Sequence, residues 1–169
     1  KELGMDSAAI TDHGVMYGVI DFYRDAKAAG IRPILGCEVY VAPGSMYDKE
    51  NVGGEDRYYH LVLLAENNTG YSNLMKIVSK GFTEGYYYKP RVDKEVLETY
   101  HEGIIALSAC LAGEVAREIT RGRYETAKEA ALSYEKIFGK GNFFLELQDH
   151  GIREQAEVNR QLLKIHEET

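Results

Sequence analysis

Three features of the sequence predict an α/β fold. Short β-rich runs alternate with helical stripes from end to end. Most of those runs empty into polar residues and glycine, as strands do where they pass into loops. Strands separated by helical patterns read as a parallel sheet with crossover helices. At least five such strands, each ending in polar residues, favour a barrel-like α/β arrangement over a sandwich. The clearest case is Ala8-Ala9-Ile10-Thr11-Asp12-His13-Gly14, where apolar residues give way to a carboxylate, an imidazole and a glycine. Strand ends of this kind carry the chemistry of α/β proteins.

In order along the chain, Ala8 to Thr11 reads as a strand and Val19 to Ala29 as an amphipathic helix closed by Gly30. Ile34 to Val41 is β-rich and contains Gly36-Cys37-Glu38. Ala42 to Arg57 is a loop rich in glycine and charge, with Pro43, Gly44, Gly53 and Gly54. Tyr58 to Ala65 is a strand with His60 near its start, and Gly70 to Lys80 a helix. Gly81 to Val92 is irregular and aromatic. Asp93 caps a short helix over Lys94 to Thr99. A strand over Ile104 to Leu107 ends in Ser108-Ala109-Cys110, and helices follow over Glu114 to Arg121 and Glu125 to Phe138. A last strand, Phe143 to Leu147, leads through Gln148-Asp149-His150-Gly151 into a helix over Arg153 to Glu168.

The 169 residues suffice for one domain with a sizeable core, and no repeat, low-complexity tract or linker interrupts them. Lys1 is no initiator methionine, and Thr169 closes a charged helical run, so the chain reads as an internal piece of something longer. Twenty basic against 27 acidic residues give a formal charge of −7. That excludes a surface devoted to nonspecific nucleic-acid binding, which needs a basic stripe, but leaves room for a local phosphate site. Cys37 and Cys110 stand far apart in apolar strand contexts and form no disulfide framework, which points to a reducing, cytoplasmic setting. No apolar run is long enough to span a membrane.

Four strand ends or starts carry metal-ligand chemistry: His13, Glu38, His60 and Cys110. Imidazole, carboxylate and thiolate together suit zinc, manganese or iron better than magnesium alone. The wide spacing excludes a zinc finger, and convergence is expected only if the sheet closes on itself. Divalent ions held there would activate water and clamp phosphate oxygens. Each residue also has a purely structural reading. Asp12 can cap the next helix, His60 can be a hydrogen-bonded strand start, and Cys110 can be a small buried hydrophobe. Glu38, inside an apolar strand, is costly to bury unless paired or metal-bound. His101 and His166 lie in polar settings and read as solvated. Glu146, Gln148 and His150 alternate, which puts them on one face of a strand end. Tyr86-Tyr87-Tyr88-Lys89-Pro90-Arg91 sets rings beside two cations, a combination that stacks a base and holds a phosphate, or simply seals the barrel.

Taken together, these segments resemble a known family. Ala-Ile-Thr-Asp-His-Gly at 9–14, Gly-Cys-Glu-Val-Tyr-Val-Ala-Pro-Gly at 36–44 and His-Leu-Val-Leu-Leu-Ala-Glu-Asn at 60–67 are similar to the polymerase-and-histidinol-phosphatase (PHP) domain. So are Tyr-Tyr-Lys-Pro-Arg at 87–91, Ser-Ala-Cys-Leu-Ala-Gly-Glu at 108–114 and Glu-Leu-Gln-Asp-His-Gly at 146–151. The form is that of bacterial DNA polymerase III alpha subunits, and the likeness runs over essentially the whole chain.

The resemblance implies a distorted TIM-like (β/α) barrel with a metal cluster at the carboxyl ends of its strands. His13, Glu38, His60 and Cys110 would be ligands, with Asp12 supporting them from behind. Lys89, Arg91 and His150 are the candidate phosphate contacts. The family's opening His-x-His strand and closing Asp-x-His strand fall outside residues 1–169, so this single-domain piece is expected to be inactive alone. The polymerase's catalytic aspartates fall outside it too.

The resemblance also implies a place in DNA replication, within a DNA-directed DNA polymerase. Its partners would be the rest of the polymerase chain, primer-template DNA, a proofreading exonuclease subunit and other replisome subunits, with no membrane. Three roles follow. The domain is a metal-dependent phosphoesterase tied to 3′–5′ proofreading, a scaffold that docks the proofreading subunit, or a free-standing phosphatase. The long insert beginning Pro43-Gly44-Ser45-Met46-Tyr47-Asp48 matches the polymerase form and tells against the last.

Overall fold

In the computed structural model, residues 1–49 and 57–169 are described. The Gly53-Gly54 part of the expected loop therefore lies outside the described residues. The elements are β1 (Ser7–Ile10), α1 (Val19–Ala28), β2 (Arg32–Val41), β3 (Tyr59–Ala65), α2 (Asn68–Thr83), β4 (Tyr86–Tyr87) and β5 (Lys89–Val92). They continue as α3 (Lys94–Thr99), β6 (Ile104–Leu107), α4 (Glu114–Thr120), α5 (Tyr124–Phe138), β7 (Phe143–Phe144) and α6 (Arg153–Glu168).

The strands form a mixed sheet in the order β4-β5-β2-β3-β6-β7, and β1 pairs with the first part of β2. The sheet is open and does not close into a barrel, and three further expectations are corrected. It is not all parallel, because β3 runs antiparallel to both β2 and β6. The reason lies in the connection. Parallel neighbours need a crossover, usually helical, whereas among the described residues no helix stands between β2 and β3. Residues 86–92 are also not irregular, since β4 and β5 form a tight hairpin with Tyr88 at its tip. Conversely, β7 stops at Phe144, so Glu146, Gln148 and His150 do not share a strand face.

Alternation along β2 and β3 decides what faces what. Cys37, Val39 and Val41 of β2, with Leu61 and Leu63 of β3, enter the main core against Leu74 and Ile77 of α2. The intervening Glu38, Tyr40, His60 and Val62 therefore lie on the opposite face. A second core joins α4, α5 and α6 through Val115, Ile119, Ala127, Ala131, Leu162 and Ile165. The cap on α3 is as the sequence predicts: Asp93 accepts from the Val96 amide at 3.0 Å. Its other oxygen takes the Met46 amide at 2.9 Å, tying the long loop to the sheet.

Candidate metal centre

Four adjacent strands deliver the four expected ligands. The loop after β1 runs beside β2, so the Glu38 amide donates to the Asp12 carbonyl at 3.0 Å and Gly14 donates to the Glu38 carbonyl at 2.8 Å. This sets His13 beside Glu38. Across the antiparallel pair Tyr40 faces His60 and Glu38 faces Val62, which places Glu38 and His60 on one diagonal of one face. The turn after β6 returns to β3, where the His60 amide donates to the Ala112 carbonyl at 3.1 Å. Closure of a barrel is thus not needed to bring these residues together.

The side chains meet at Glu38. One of its oxygens, Oε1, lies 2.6 Å from His13 Nδ1 and 2.9 Å from His60 Nδ1. His60 Nδ1 is also 3.5 Å from Cys110 Sγ. Donor atoms of Glu38, His60 and Cys110 all lie within 4.8 Å of one another. Carboxylate, imidazole and thiolate at that separation are a donor set that fits a zinc, manganese or iron ion. His13 stands at the rim, its side chain 71% exposed and its other ring nitrogen unclaimed by Glu38.

Charge is already concentrated here. Burial alone would raise Glu38, but hydrogen bonds and charge from His60 and His13 outweigh it and hold the carboxyl below its usual range. The Cys110 thiolate first, and Glu38 second, push His60 up to about 9 against the effect of burial. The same hydrogen bond from His60 pulls Cys110 down, despite the burial that opposes it. Cys37 is the contrast. Burial pushes its thiol up to about 12, and its Sγ donates to the Asp12 carbonyl at 3.3 Å, so it is a core residue and no ligand.

Two backbone details aim Cys110. Ala109 adopts φ 61°, a left-handed conformation that costs an alanine about 1–2 kcal/mol and that clusters at functional sites. Gly113 has an ordinary φ, but a Cβ there would overlap the Ser108 carbonyl, so the turn closes only over glycine.

The remaining candidates divide. The Asp12 side chain faces α1, where Oδ2 is 3.4 Å from the Gly18 amide, and only its carbonyl braces Glu38. Lys89 is exposed near His60, in the wall of the same cleft. Arg91 is not available to a substrate. It is fully buried, and its guanidinium donates to the carbonyls of Met46 at 3.0 Å, Asp48 at 2.9 Å and Arg57 at 3.4 Å. His150 lies at the start of α6, where Gln155 binds both its amide and Nδ1. Gln155 reaches on to Gln148, and Gln148 to Glu146, in a chain that passes beside Cys110. Sequence reasoning missed Arg57, Tyr58 and Arg117, which border His60. The available signal was period two: Tyr58 precedes His60 by two residues, and their rings stack at 6.0 Å and 7°.

An open α/β sheet with a carboxylate–imidazole–thiolate cluster on the strand face away from its helical core is the architecture of a candidate metal-binding domain. The chain belongs to the PHP domain family, whose model matches residues 1–150. Its curated relatives are DNA polymerase III alpha subunits. It is 47% identical to that of Treponema pallidum over 165 residues, covering 98% of this chain and 14% of that protein. It is 48% identical to that of Borreliella burgdorferi over 164 residues, again 14% of the relative. The chain thus spans about a seventh of the relatives it matches. Among solved structures, a protein from Bifidobacterium adolescentis described as a metal-dependent phosphoesterase superposes with TM-score 0.53. That alignment has 15% identity and covers 99% of this chain and 74% of the other. At that identity it speaks for the fold. Among the described residues, no helix is long and apolar enough to cross a membrane.

Proposed function

We propose that this chain is the PHP module of a replicative DNA polymerase alpha subunit and that it hydrolyses phosphodiesters at the 3′ end of a primer. The observation that supports this reading is the convergence of Glu38, His60 and Cys110 donor atoms within 4.8 Å. Those residues, with His13 beside them, would hold a divalent ion, which supplies Lewis-acid polarisation of a phosphoryl oxygen and a lowered pKa for water. Glu38 contributes the negative charge and orients both imidazoles through one oxygen. His13, exposed and bonded through Nδ1, is placed to hold or pass a proton at its other nitrogen. Lys89 offers positive charge to the substrate phosphate. Asp12 acts through the backbone, fixing Glu38. On this reading the partners are the rest of the polymerase chain, primer-template DNA and the replisome subunits, in the cytoplasm, and residues 1–169 are one piece of one domain.

The test uses the full polypeptide that carries this chain. Release of nucleotides from a mismatched 3′ primer end is followed with Mn2+ or Zn2+, beside His13→Ala and Cys110→Ala. Release that both variants abolish, with the fold intact by circular dichroism, supports the reading. A folded, metal-loaded protein that releases nothing overturns it and leaves a scaffold that docks a separate proofreading subunit.

A further inference from the structure

On the site face of the sheet one large side chain is buried without belonging to the helical core. Tyr40 of β2 is 6% exposed, yet the residues of that strand that enter the main core are its alternates, Cys37, Val39 and Val41. Period two puts Tyr40 on the face of Glu38, and it pairs directly with His60 of β3. The two rings meet edge to face, with centroids 5.4 Å apart and planes at 71°. Tyr58 lies against both, 4.8 Å from Tyr40 at 66° and stacked on His60 at 6.0 Å. Lys89 covers the cluster, its ammonium 5.5 Å from the Tyr40 centroid. Edge-to-face and offset stacks at such separations are the favoured geometries of aromatic rings.

The same ring also bears on the segment that carries the other imidazole. Gly14, next to His13, packs so close that a Cβ there would stand 2.7 Å from Cε2 of Tyr40. Gly14 has φ 72°, a left-handed conformation that favours glycine, and its amide donates to the Glu38 carbonyl at 2.8 Å. Tyr40 therefore fills the gap between the loop after β1 and the start of β3. This matters most for His13, whose side chain is 71% exposed and so has few contacts of its own to keep Nδ1 2.6 Å from Glu38. Among the described residues, the Tyr40 hydroxyl has no hydrogen-bond partner, so the contacts are made by the flat ring.

We infer that Tyr40 is a positioning residue of the metal centre: its ring wedges between the His13 loop and the His60 ring and holds both imidazoles on Glu38. The inference rests on the metal-centre reading and adds to it a residue that supplies no donor atom. Groups that stand behind metal ligands orient them, and their loss typically weakens metal binding about 10–100-fold. A side chain that merely filled space would, when cut back, lower stability and leave the geometry of the site as it was. An aliphatic residue at position 40 would still cover apolar surface, but it has no plane to set the angle of an imidazole.

The test reads the site in the full polypeptide, with and without an ion. Co2+ is titrated against a competing chelator, and the visible spectrum of the bound ion is recorded. Tyr40→Leu should bind about tenfold more weakly and change that spectrum, while Tyr40→Phe keeps the parental affinity and spectrum. In the metal-free protein, carbethoxylation of histidines by diethyl pyrocarbonate is mapped by mass spectrometry. His60, whose side chain is 20% exposed, should react severalfold faster in Tyr40→Leu and at the parental rate in Tyr40→Phe. Should Tyr40→Leu fail to fold, Gly14→Ala presses on the ring from the other side and should give the same changes in spectrum and reactivity. Unchanged Co2+ affinity and spectrum in Tyr40→Leu overturn the inference and leave the metal centre standing. A Tyr40→Phe protein as weak as Tyr40→Leu also overturns it, in favour of a contact made by the hydroxyl. A parent that binds no Co2+, with His60 still unmasked in Tyr40→Leu and shielded in Tyr40→Phe, upholds the wedge and sinks the metal-centre reading.

Discussion

Replacing Arg91 with methionine separates a structural cation from a substrate-binding one. Arg91 is fully buried and makes two short bonds, 2.9 Å to the Asp48 carbonyl and 3.0 Å to the Met46 carbonyl, besides a longer one to Arg57. A hydrogen bond from a charged donor is worth about 1.5–3 kcal/mol, and removing the donor leaves the carbonyls unsatisfied. Methionine fills much of the same volume and returns some apolar burial, so the net cost is about 3 kcal/mol. For a chain of this size, about 2–4 °C per kcal/mol gives a fall in Tm of about 6–12 °C. Thermal denaturation followed by circular dichroism measures it, with Lys89→Met as the control expected to move Tm by less than about 2 °C. An Arg91→Met protein that melts within about 2 °C of the parent, but binds primer more weakly, would show that the guanidinium serves substrate and refute the argument.

Three further outcomes follow from the metal centre. Without metal, Glu38 titrates below its ordinary carboxyl value. The folded state then binds fewer protons than the unfolded one in mildly acid solution, so this stability is full above about pH 4.5 and lost as pH falls through the depressed value. Urea midpoints against pH should show that slope in the parent and a flatter one in Glu38→Gln. The His60–Cys110 pair keeps one proton until His60 titrates near 9, and an ion needs both in their deprotonated forms. Affinity should therefore rise about tenfold per pH unit below that point. Calorimetry in buffers of different ionisation enthalpy should find one proton released, and a pH-independent affinity would contradict the geometry. Gly113→Ala forces a backbone overlap with the Ser108 carbonyl. It should cost about 1–3 kcal/mol in chemical denaturation and displace Cys110, weakening metal binding at least about tenfold.

Much of this was written locally. The helix Lys94–Thr99 carries its own start signal in Asp93, and the strand Ile104–Leu107 is an apolar run between polar turns, so both were legible to the residue. The candidate ligands were visible because a carboxylate at Glu38 and an imidazole at His60 interrupt runs that otherwise enter the core. Strand direction was less visible, since it depends on which neighbour a strand finds. The hairpin at 86–92 was hidden because Tyr88 takes a conformation its residue type disfavours. Lys89 and Arg91 look equivalent in sequence. They differ because Arg91 sits where β5 meets β2 under the loop carbonyls, whereas Lys89 lies beyond that pairing. The convergence of Arg57, Lys89 and Arg117 has no local signature at all, as each comes from a different element.

The order of the ligands along the chain also has a consequence for synthesis. His13, Glu38 and His60 belong to β3 or to what precedes it, but Cys110 follows His60 by 50 residues and comes only after β6. At roughly 5–20 residues per second, translation leaves an interval of about 2.5–10 s in which a carboxylate and two imidazoles exist without the thiol. On the proposed reading, an ion captured in that interval would meet only the nitrogen and oxygen donors of His13, Glu38 and His60, and the emergence of Cys110 would set the moment at which a softer, thiol-preferring metal could displace it.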